Sequence, residues 1–403
     1  MTKRLYDLDS HQTETQSTVL SCTAVEDKFD VVLDQTVFFP EGGGQPSDTG
    51  TLGEANVLHV REENGEIYHR IDRALAVGAS VTGAIDWMRR FDLMQQHTGE
   101  HLLSFSFYDL FQASNVGFHL ALDYATIDFA KPVSREEIKE AELLANRFVW
   151  KNLPVQATFY ESEEEVAALP LRKHAEGLQP PIRIVHVEGA DMCTCCAPHC
   201  YTTGEIGSIF VADASSYKGG TRITFFCGER ALKLHRAQHD DLDAIARRFS
   251  CQREAVPGAV KKLSDDFGAL KKSERELAKS LNVYMSAEFL QAAAQAGKYR
   301  VVAQLVSGVD AGRLKDLAQS SSAEKTLALL LSETDGRLFY VLSSGAGFPI
   351  DVSELMPAVN AALGGKGGGR GSLAQGTAPS AVGAKEALAQ VRSYFVKRLG
   401  DTK

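Results

Sequence analysis

Along residues 1–90 apolar side chains recur in short runs that alternate with polar positions, the period of half-buried strands. FDVVLDQTVFFP (29–40) is rich in β-branched and aromatic residues, and EGGGQPSDTG follows it as a run of turn formers. ANVLHVREENGEIYHRI (55–71) reads as a hairpin folded at Asn64-Gly65, the pair a tight primed turn asks for. ASVTGAIDW adds another strand. Short strands with turn signals at this spacing predict a small N-terminal β-barrel over residues 1–90. From Met88 the period lengthens to three and four, so RFDLMQQHTGEHLLSFSFYDLF (90–111) is predicted to be a helix. HLALDYATIDFA (119–130) is expected to be one strand. SREEIKEAELLANRFVWKN is expected to be a helix, with Ser134 as N-cap and acidic residues in its first turn. RIVHVEG and TRITFFCG are strands that frame a cysteine-rich segment. Helices on one face of a mostly antiparallel sheet make residues 91–228 an α+β domain.

Residues 229–297 are amphipathic and highly charged, and their one turn signal is Pro257-Gly258. They predict a helical hairpin or short coiled coil acting as a spacer. Beyond it, RVVAQLV, DAGRLKDLAQ, TLALLLSE, LFYVLSS and DVSELMPAVNAAL read as strand, helix, strand, strand and helix. They predict a C-terminal α/β domain over residues 298–403. It closes with GGKGGGRGSLAQG and a last helix, AKEALAQVRSYFVKRL. The fold class expected for the whole chain is α+β.

Composition changes this picture in three places. At 403 residues, 44% of them hydrophobic, the chain can bury a large core without disulfides. No apolar run is long enough to span a membrane, and MTKRLYDLDSHQTE lacks the apolar stretch of a secretory signal, so a cytoplasmic, reducing setting is expected. There, clustered cysteines bind metal or do chemistry more often than they form bridges. The net charge of −9 excludes a uniformly basic nucleic-acid binder. The last forty residues carry seven Lys/Arg against Glu386 and Asp401, a basic end that suits either phosphate contact or a solubilised helix.

MCTCCAPHC (192–200) holds four of the seven cysteines. CCAPH spaces Cys195 and His199 four apart, as HTGEH spaces His97 and His101. On a helix that spacing puts two imidazoles on one face. Three nitrogens and a sulfur suit Zn²⁺ in tetrahedral geometry. The residues alone leave the ligand set open, since Cys193 and Cys196 compete with Cys195. Cys193-x-x-Cys196 also has redox spacing, but no thioredoxin-like helix follows it. Gly42, Gly43 and Gly44 let the backbone take positive φ and approach a ligand, and Gln45 offers both donor and acceptor beside them. As composition alone, the segment is a turn between strands. The later glycine run lacks the G-K-[ST] order of a phosphate-binding loop. With Lys366 and Arg370 it can still grip a backbone phosphate or sugar, and the alternative reading of the same stretch is a flexible loop.

DQTVFFPEGGGQPSDTG, QQHTGEHLLS, CTCCAPHCYTTGEIG and GGTRITFFCGERAL resemble the signature stretches of the alanyl-tRNA editing family, which comprises the free-standing AlaX proteins and the editing domain of alanyl-tRNA synthetase. The resemblance is strong over residues 30–228 and weaker in the helical spacer. The glycine-rich C-terminal run resembles the end of the domain appended to those synthetases, which implies the long AlaX form. The family pattern places a glutamate six residues after the last histidine, and Cys195, His199 and Glu205 keep that spacing. The resemblance therefore implies His97, His101, Cys195 and His199 as ligands of one zinc ion per chain. Cys200 departs from the pattern, which has an apolar residue there.

The resemblance implies a trans-acting hydrolase that removes serine, and also glycine, from mischarged alanine-specific tRNA. It assigns Gln45 and Thr36 to catalysis and Gly42, Gly43 and Gly44 to the substrate. A site that spares alanine must hydrogen-bond the serine hydroxyl, because an apolar pocket discriminates a hydroxyl poorly. The resemblance points to Thr36 for that task, although by residue type alone it is an ordinary strand threonine. Lys366 and Arg370 become tRNA contacts, and the C-terminal domain binds tRNA or joins a homodimer. The chain opens directly in the barrel-like segment, so a full synthetase is not expected. The rival reading is a non-catalytic tRNA-binding protein with structural zinc. A phosphoesterase of the DHH type is set aside, because His239-Asp240-Asp241 lies in a spacer helix.

Overall fold

The computed structural model describes residues 2–173, 177, 179–334 and 336–400. Asp401 and Lys403 of the basic end lie outside them. The chain divides into two compact units, Met1–Ile245 and Ala246–Lys403.

In the first unit, β1 (Lys3–Arg4) precedes the long barrel strand β2 (Glu14–Val25) and β3 (Lys28–Leu33). β4 (Gln35–Thr36) then pairs in parallel with β1. β5 (Gly50–Leu52), β6 (Ala55–Glu63), β7 (Glu66–Ile71) and β8 (Ser80–Ile85) complete a closed antiparallel barrel in the order β2-β3-β7-β6-β5-β8. The β6–β7 turn has positive φ at both Asn64 and Gly65, the geometry expected of that pair. Alternation along β7 sends Ile67, His69 and Ile71 into the barrel, against Val31, Leu33 and Phe38.

α1 (Trp87–Phe111) starts at Asp86, whose side chain accepts from the Arg89 N–H. From Leu93 to Ser104 every residue of α1 is buried, so the helix is enclosed on all sides rather than on one face. Its polar residues are partnered: Gln96, for example, exchanges hydrogen bonds with the backbone of Cys227. The stretch expected as one strand is two: β9 (Asn115–Leu120) and β10 (Ala125–Phe129) form a hairpin closed by an Ala121 N–H to Tyr124 carbonyl bond of 2.9 Å. Between Leu120 and Ala125 Asp123 is the one turn former, a weak signal that hid the reversal. α2 (Arg135–Lys151) begins with a complete capping box between Ser134 and Glu137. β11 (Val155–Tyr160), α3 (Glu163–Ala167), β12 (Ile182–Val187) and β13 (Met192–Thr194) follow, the strands forming an antiparallel sheet in the order β11-β12-β13. β14 (Ile209–Tyr217) and β15 (Gly220–Cys227) join β10 and β9 in a four-stranded antiparallel sheet. The apolar faces of α1 and α2 share one core with that sheet.

Arg90, wholly buried, ties α1 to the barrel. Its Nε lies 3.0 Å from Asp48 Oδ1, its Nη2 pairs with Asp48 Oδ2 and the Val37 carbonyl, and its Nη1 donates to the Ser10 carbonyl. Asp48 also accepts the Phe39 N–H at 2.7 Å. Arg90→Met is expected to cost about 3–5 kcal/mol in urea unfolding, because Asp48 would keep a buried charge without its partner. A loss below ~1 kcal/mol would contradict this.

α4 (Gly228–Arg248) and α5 (Val256–Gln291) supply the long helices of the charged stretch. The chain turns at 249–252, where Ser250 takes positive φ, and not at Pro257. Pro257 sits in the first turn of α5, where a missing N–H costs nothing. Val260, Leu263, Phe267, Leu270, Leu277, Leu281 and Tyr284 of α5 are exposed at spacings of three, four and seven.

The second unit adds β16 (Ala294–Ala296), β17 (Tyr299–Ser307), α6 (Ala311–Ser320), β18 (Thr326–Thr334), β19 (Arg337–Ser344), α7 (Val352–Leu363), β20 (Lys366–Arg370), β21 (Leu373–Ala378) and α8 (Ala384–Gly400). Its sheet runs β16-β17-β18-β19-β21-β20, parallel only between β17 and β18, which α6 connects. α7 and α8 cover one face; α6 and the end of α5 cover the other. The glycine-rich run, read as a loop, is an edge hairpin of β20 and β21. Among the described residues, no helix is long and apolar enough to cross a membrane.

Candidate metal centre

α1 stacks His97 and His101 one turn apart, with ring centroids 5.5 Å from each other. The loop leaving β13 brings His199 to 4.9 Å from His97 and 4.6 Å from His101. Cys195 Sγ stands 3.5 Å from His97 Nε2 and 3.3 Å from His199 Nε2. One ligand atom from each of His97, His101, Cys195 and His199 lies within 4.8 Å of the others. Arg183 fixes the loop by donating from Nη1 to the carbonyls of Cys195 and Ala197, and Ser10 donates to that of His199. Glu205 braces it from the far side, bonding to the Tyr201 N–H and to His11.

The outward ring nitrogens are all occupied by oxygen. His97 Nδ1 meets Gln45 Oε1 at 2.9 Å, His101 Nδ1 meets Asp191 Oδ2 at 3.0 Å, and His199 Nδ1 meets Thr98 Oγ1 at 3.0 Å. The acceptors Gln45 Oε1 and Asp191 Oδ2 favour a proton on Nδ1 of His97 and His101, which turns each Nε2 toward an ion; the Thr98 hydroxyl can either donate to or accept from His199 Nδ1.

The four clustered thiols differ. Burial resists ionisation of Cys195, but the neighbouring His97 and His199 imidazoles outweigh it and hold this thiol well below its ordinary range. Burial pushes Cys193 up to about 11 and Cys200 up to about 12. Burial also lowers His199 to about 3, so its ring stays neutral. Three imidazoles and one thiolate are a donor set that fits Zn²⁺.

Cys193 belongs to a second buried trio with His101 and Asp191. Its Sγ is 3.4 Å from His101 Nδ1 and 3.9 Å from its Nε2 and donates to Asp191 Oδ2, whereas Cys195 Sγ is the sulfur that meets the Nε2 atoms of His97 and His199. Asp191 is already taken by Arg172, Nε to Oδ1 at 2.6 Å and Nη2 to Oδ2 at 3.0 Å. Cys196 is exposed.

Beside the cluster lies a cavity of about 560 Å³. Gly42, Gly43, His97, His101, Cys195 and Cys196 line it, and its charged residues are of both signs, Arg4, Lys173 and Arg183 among the cations and Asp7, Glu41 and Glu62 among the anions. Gly43 and Gly44 take φ of +59° and +81°, and a Cβ on Gly43 would stand 3.0 Å from Cys196 Sγ. Only glycine lets this turn lie against the cysteine loop. The turn delivers Gln45 to His97. Gln45 is buried, and its Nε2 has no protein partner among the described residues. Thr36, wholly buried in the barrel, bonds to His69 Nε2 at 2.8 Å. Neither Thr36 nor Gln45 is part of the cavity lining. Lys366 and Arg370 stand exposed on the edge strand β20, in the other unit.

Sequence reasoning missed several partners. Thr98 lies inside HTGEH, and Asp191 four residues before Cys195, so proximity was their only signal. His69 stood at an inward position of an alternating strand, a usable signal for a buried polar role. Arg172 and Arg183 carried none.

Residues 9–89 match the family described as tRNA synthetases class II (A), residues 182–224 the threonyl and alanyl tRNA synthetase second additional domain, and residues 298–397 the DHHA1 domain. The alanyl-tRNA editing protein AlaX-L of Pyrococcus horikoshii is 31% identical over 397 residues, covering 93% of this chain and 94% of its own. Alanine–tRNA ligases of Pyrococcus furiosus and Halorubrum lacusprofundi are 31% and 30% identical over 97% and 96% of the chain, which spans 43% of each ligase. The solved C-Ala domain of Aquifex aeolicus alanyl-tRNA synthetase is 20% identical, covers 27% of this chain and 97% of its own, and has a TM-score of 0.24, too low to speak for the fold.

Proposed function

Because the chain belongs to the alanyl-tRNA editing proteins, we propose that it hydrolyses the ester of serine, and of glycine, on mischarged alanine-specific tRNA. The observation that carries the reading is the convergence of His97, His101, Cys195 and His199 beside a cavity. These four would hold one Zn²⁺, which when bound would supply Lewis acidity and an anchor for the acyl group. The remaining work falls to the chain. The glycine turn lets the acylated 3′ end approach closely, and Arg4, Lys173 and Arg183 attract its phosphate. Gln45 keeps His97 oriented through Oε1 and retains an unpaired amide donor. Thr36 reads the serine hydroxyl. Lys366 and Arg370 contact the tRNA backbone from the second unit.

Four protein donors are also the pattern of a structural zinc site, and that observation favours the second reading, a non-catalytic zinc-containing tRNA-binding protein. Incubating purified protein with seryl-charged alanine tRNA separates them. Serine release well above buffer is expected; metal-loaded protein that binds this tRNA and releases none belongs to the second reading.

A further inference from the structure

The trio behind His101 has a role that the four ligands do not explain. We propose that Asp191, clamped by Arg172, is the positioning residue that presents His101 to the metal. The inference rests on the metal reading of the site given above.

Asp191 is buried on the turn between β12 and β13. Its own carbonyl accepts the Val187 N–H at 2.8 Å, and the Met192 carbonyl accepts the Arg172 N–H at 2.9 Å. The turn and the arginine are thus registered by backbone before any charge is counted. The guanidinium then engages both carboxylate oxygens, the fork geometry that fixes a carboxylate in plane. Oδ2, already held by Arg172, accepts the Nδ1–H of His101 at 3.0 Å.

The arrangement closes on itself. Arg172 Nη1 donates to Asn115 Oδ1 at 3.2 Å, and Asn115 Nδ2 donates to Glu100 Oε1 at 2.8 Å. Glu100 precedes His101 on α1. The ring of contacts therefore leaves α1 at Glu100 and returns to it at His101, through residues of three other segments. The imidazole cannot rotate without breaking a buried hydrogen bond, which holds Nε2 toward the other ligands. The trio is better suited to this task than to a second ion, because Arg172 already occupies the carboxylate.

Outer partners of this kind change metal affinity without touching the metal. In Asp191→Asn the amide must turn its NH2 toward either Arg172 or His101 Nδ1, setting donor against donor. Zinc affinity, measured by competition with a chromogenic chelator, is expected to fall about ten- to a hundredfold. The visible spectrum of the cobalt-substituted protein is expected to change as His101 leaves its position. Arg172→Gln, which leaves both carboxylate and imidazole in place, is expected to show a smaller loss and covers the case in which the asparagine variant does not fold. A merely structural pair would lower the melting temperature and leave affinity and spectrum alone. Variants that bind zinc as tightly as the parent, with the parent's cobalt spectrum, overturn the proposal. A parent protein that binds neither ion removes the metal reading itself, and this proposal with it.

Discussion

Cys195→Ser is expected to empty the cluster and, with it, to abolish serine release from mischarged alanine tRNA. Of the four neighbouring thiols it is the one held as a thiolate, and it faces the Nε2 atoms of His97 and His199. The hydroxyl that replaces it does not ionise near neutrality, so a borderline-soft ion loses its single soft donor. Since outer partners alone are worth ten- to a hundredfold in affinity, removing a ligand is expected to cost more than about a hundredfold. Zinc content by elemental analysis and deacylation on one preparation check this together. Cys193→Ser and Cys196→Ser are the controls and should keep the metal, because neither belongs to the four-residue cluster. Full activity in a zinc-free Cys195→Ser protein would remove the cluster from the chemistry.

Thr36→Val is expected to let alanyl-tRNA become a substrate while seryl-tRNA is still hydrolysed. Proton counting supplies the reason. Burial pushes His69 down to about 4, so at neutral pH the ring carries one proton. That proton goes from Nδ1 to the Val31 carbonyl at 3.1 Å, leaving Nε2 to accept the Thr36 hydroxyl. Thr36 Oγ1 also accepts the Phe38 N–H at 3.1 Å. One lone pair is left, so Thr36 can only accept. On the proposed reading, a serine side chain would donate to it and an alanine side chain would leave it unpaired, the penalty that would spare the correct product. Valine removes the penalty, and the serine-to-alanine ratio of kcat/KM is expected to fall about ten- to a hundredfold. Thr36→Ser, which keeps the hydroxyl, should retain the ratio. Parallel single-turnover assays on the two charged tRNAs measure it, and an unchanged ratio in the valine variant would take Thr36 out of the selection.

Much of this molecule is written locally. Alternation along Glu66–Ile71, the positive φ that Asn64-Gly65 accepts, the Ser134–Glu137 box and the three-four period of α1 act over a few residues, so the chain announces them wherever it is read. HTGEH and CCAPH likewise announce candidate ligand pairs by spacing. Where a local signal was weak or ambiguous, the fold decided. Asp123 alone did not reveal the β9–β10 reversal, Pro257 began a helix rather than ending one, and the glycines around Lys366 paired as an edge hairpin.

The choice among Cys193, Cys195 and Cys196 is of another kind. Spacing leaves all three open, since each is within reach of a histidine along the chain. What separates them is which side of His101 each sulfur occupies, how deeply it is buried, and which imidazoles face it. Those are properties of segments about a hundred residues apart brought within a few ångströms. Ligand chemistry was therefore legible in the sequence, whereas ligand identity, the Asp191–Arg172 clamp and the acceptor-only state of Thr36 came from long-range contacts, because hydrogen-bond direction and thiol ionisation depend on neighbours the sequence does not place side by side.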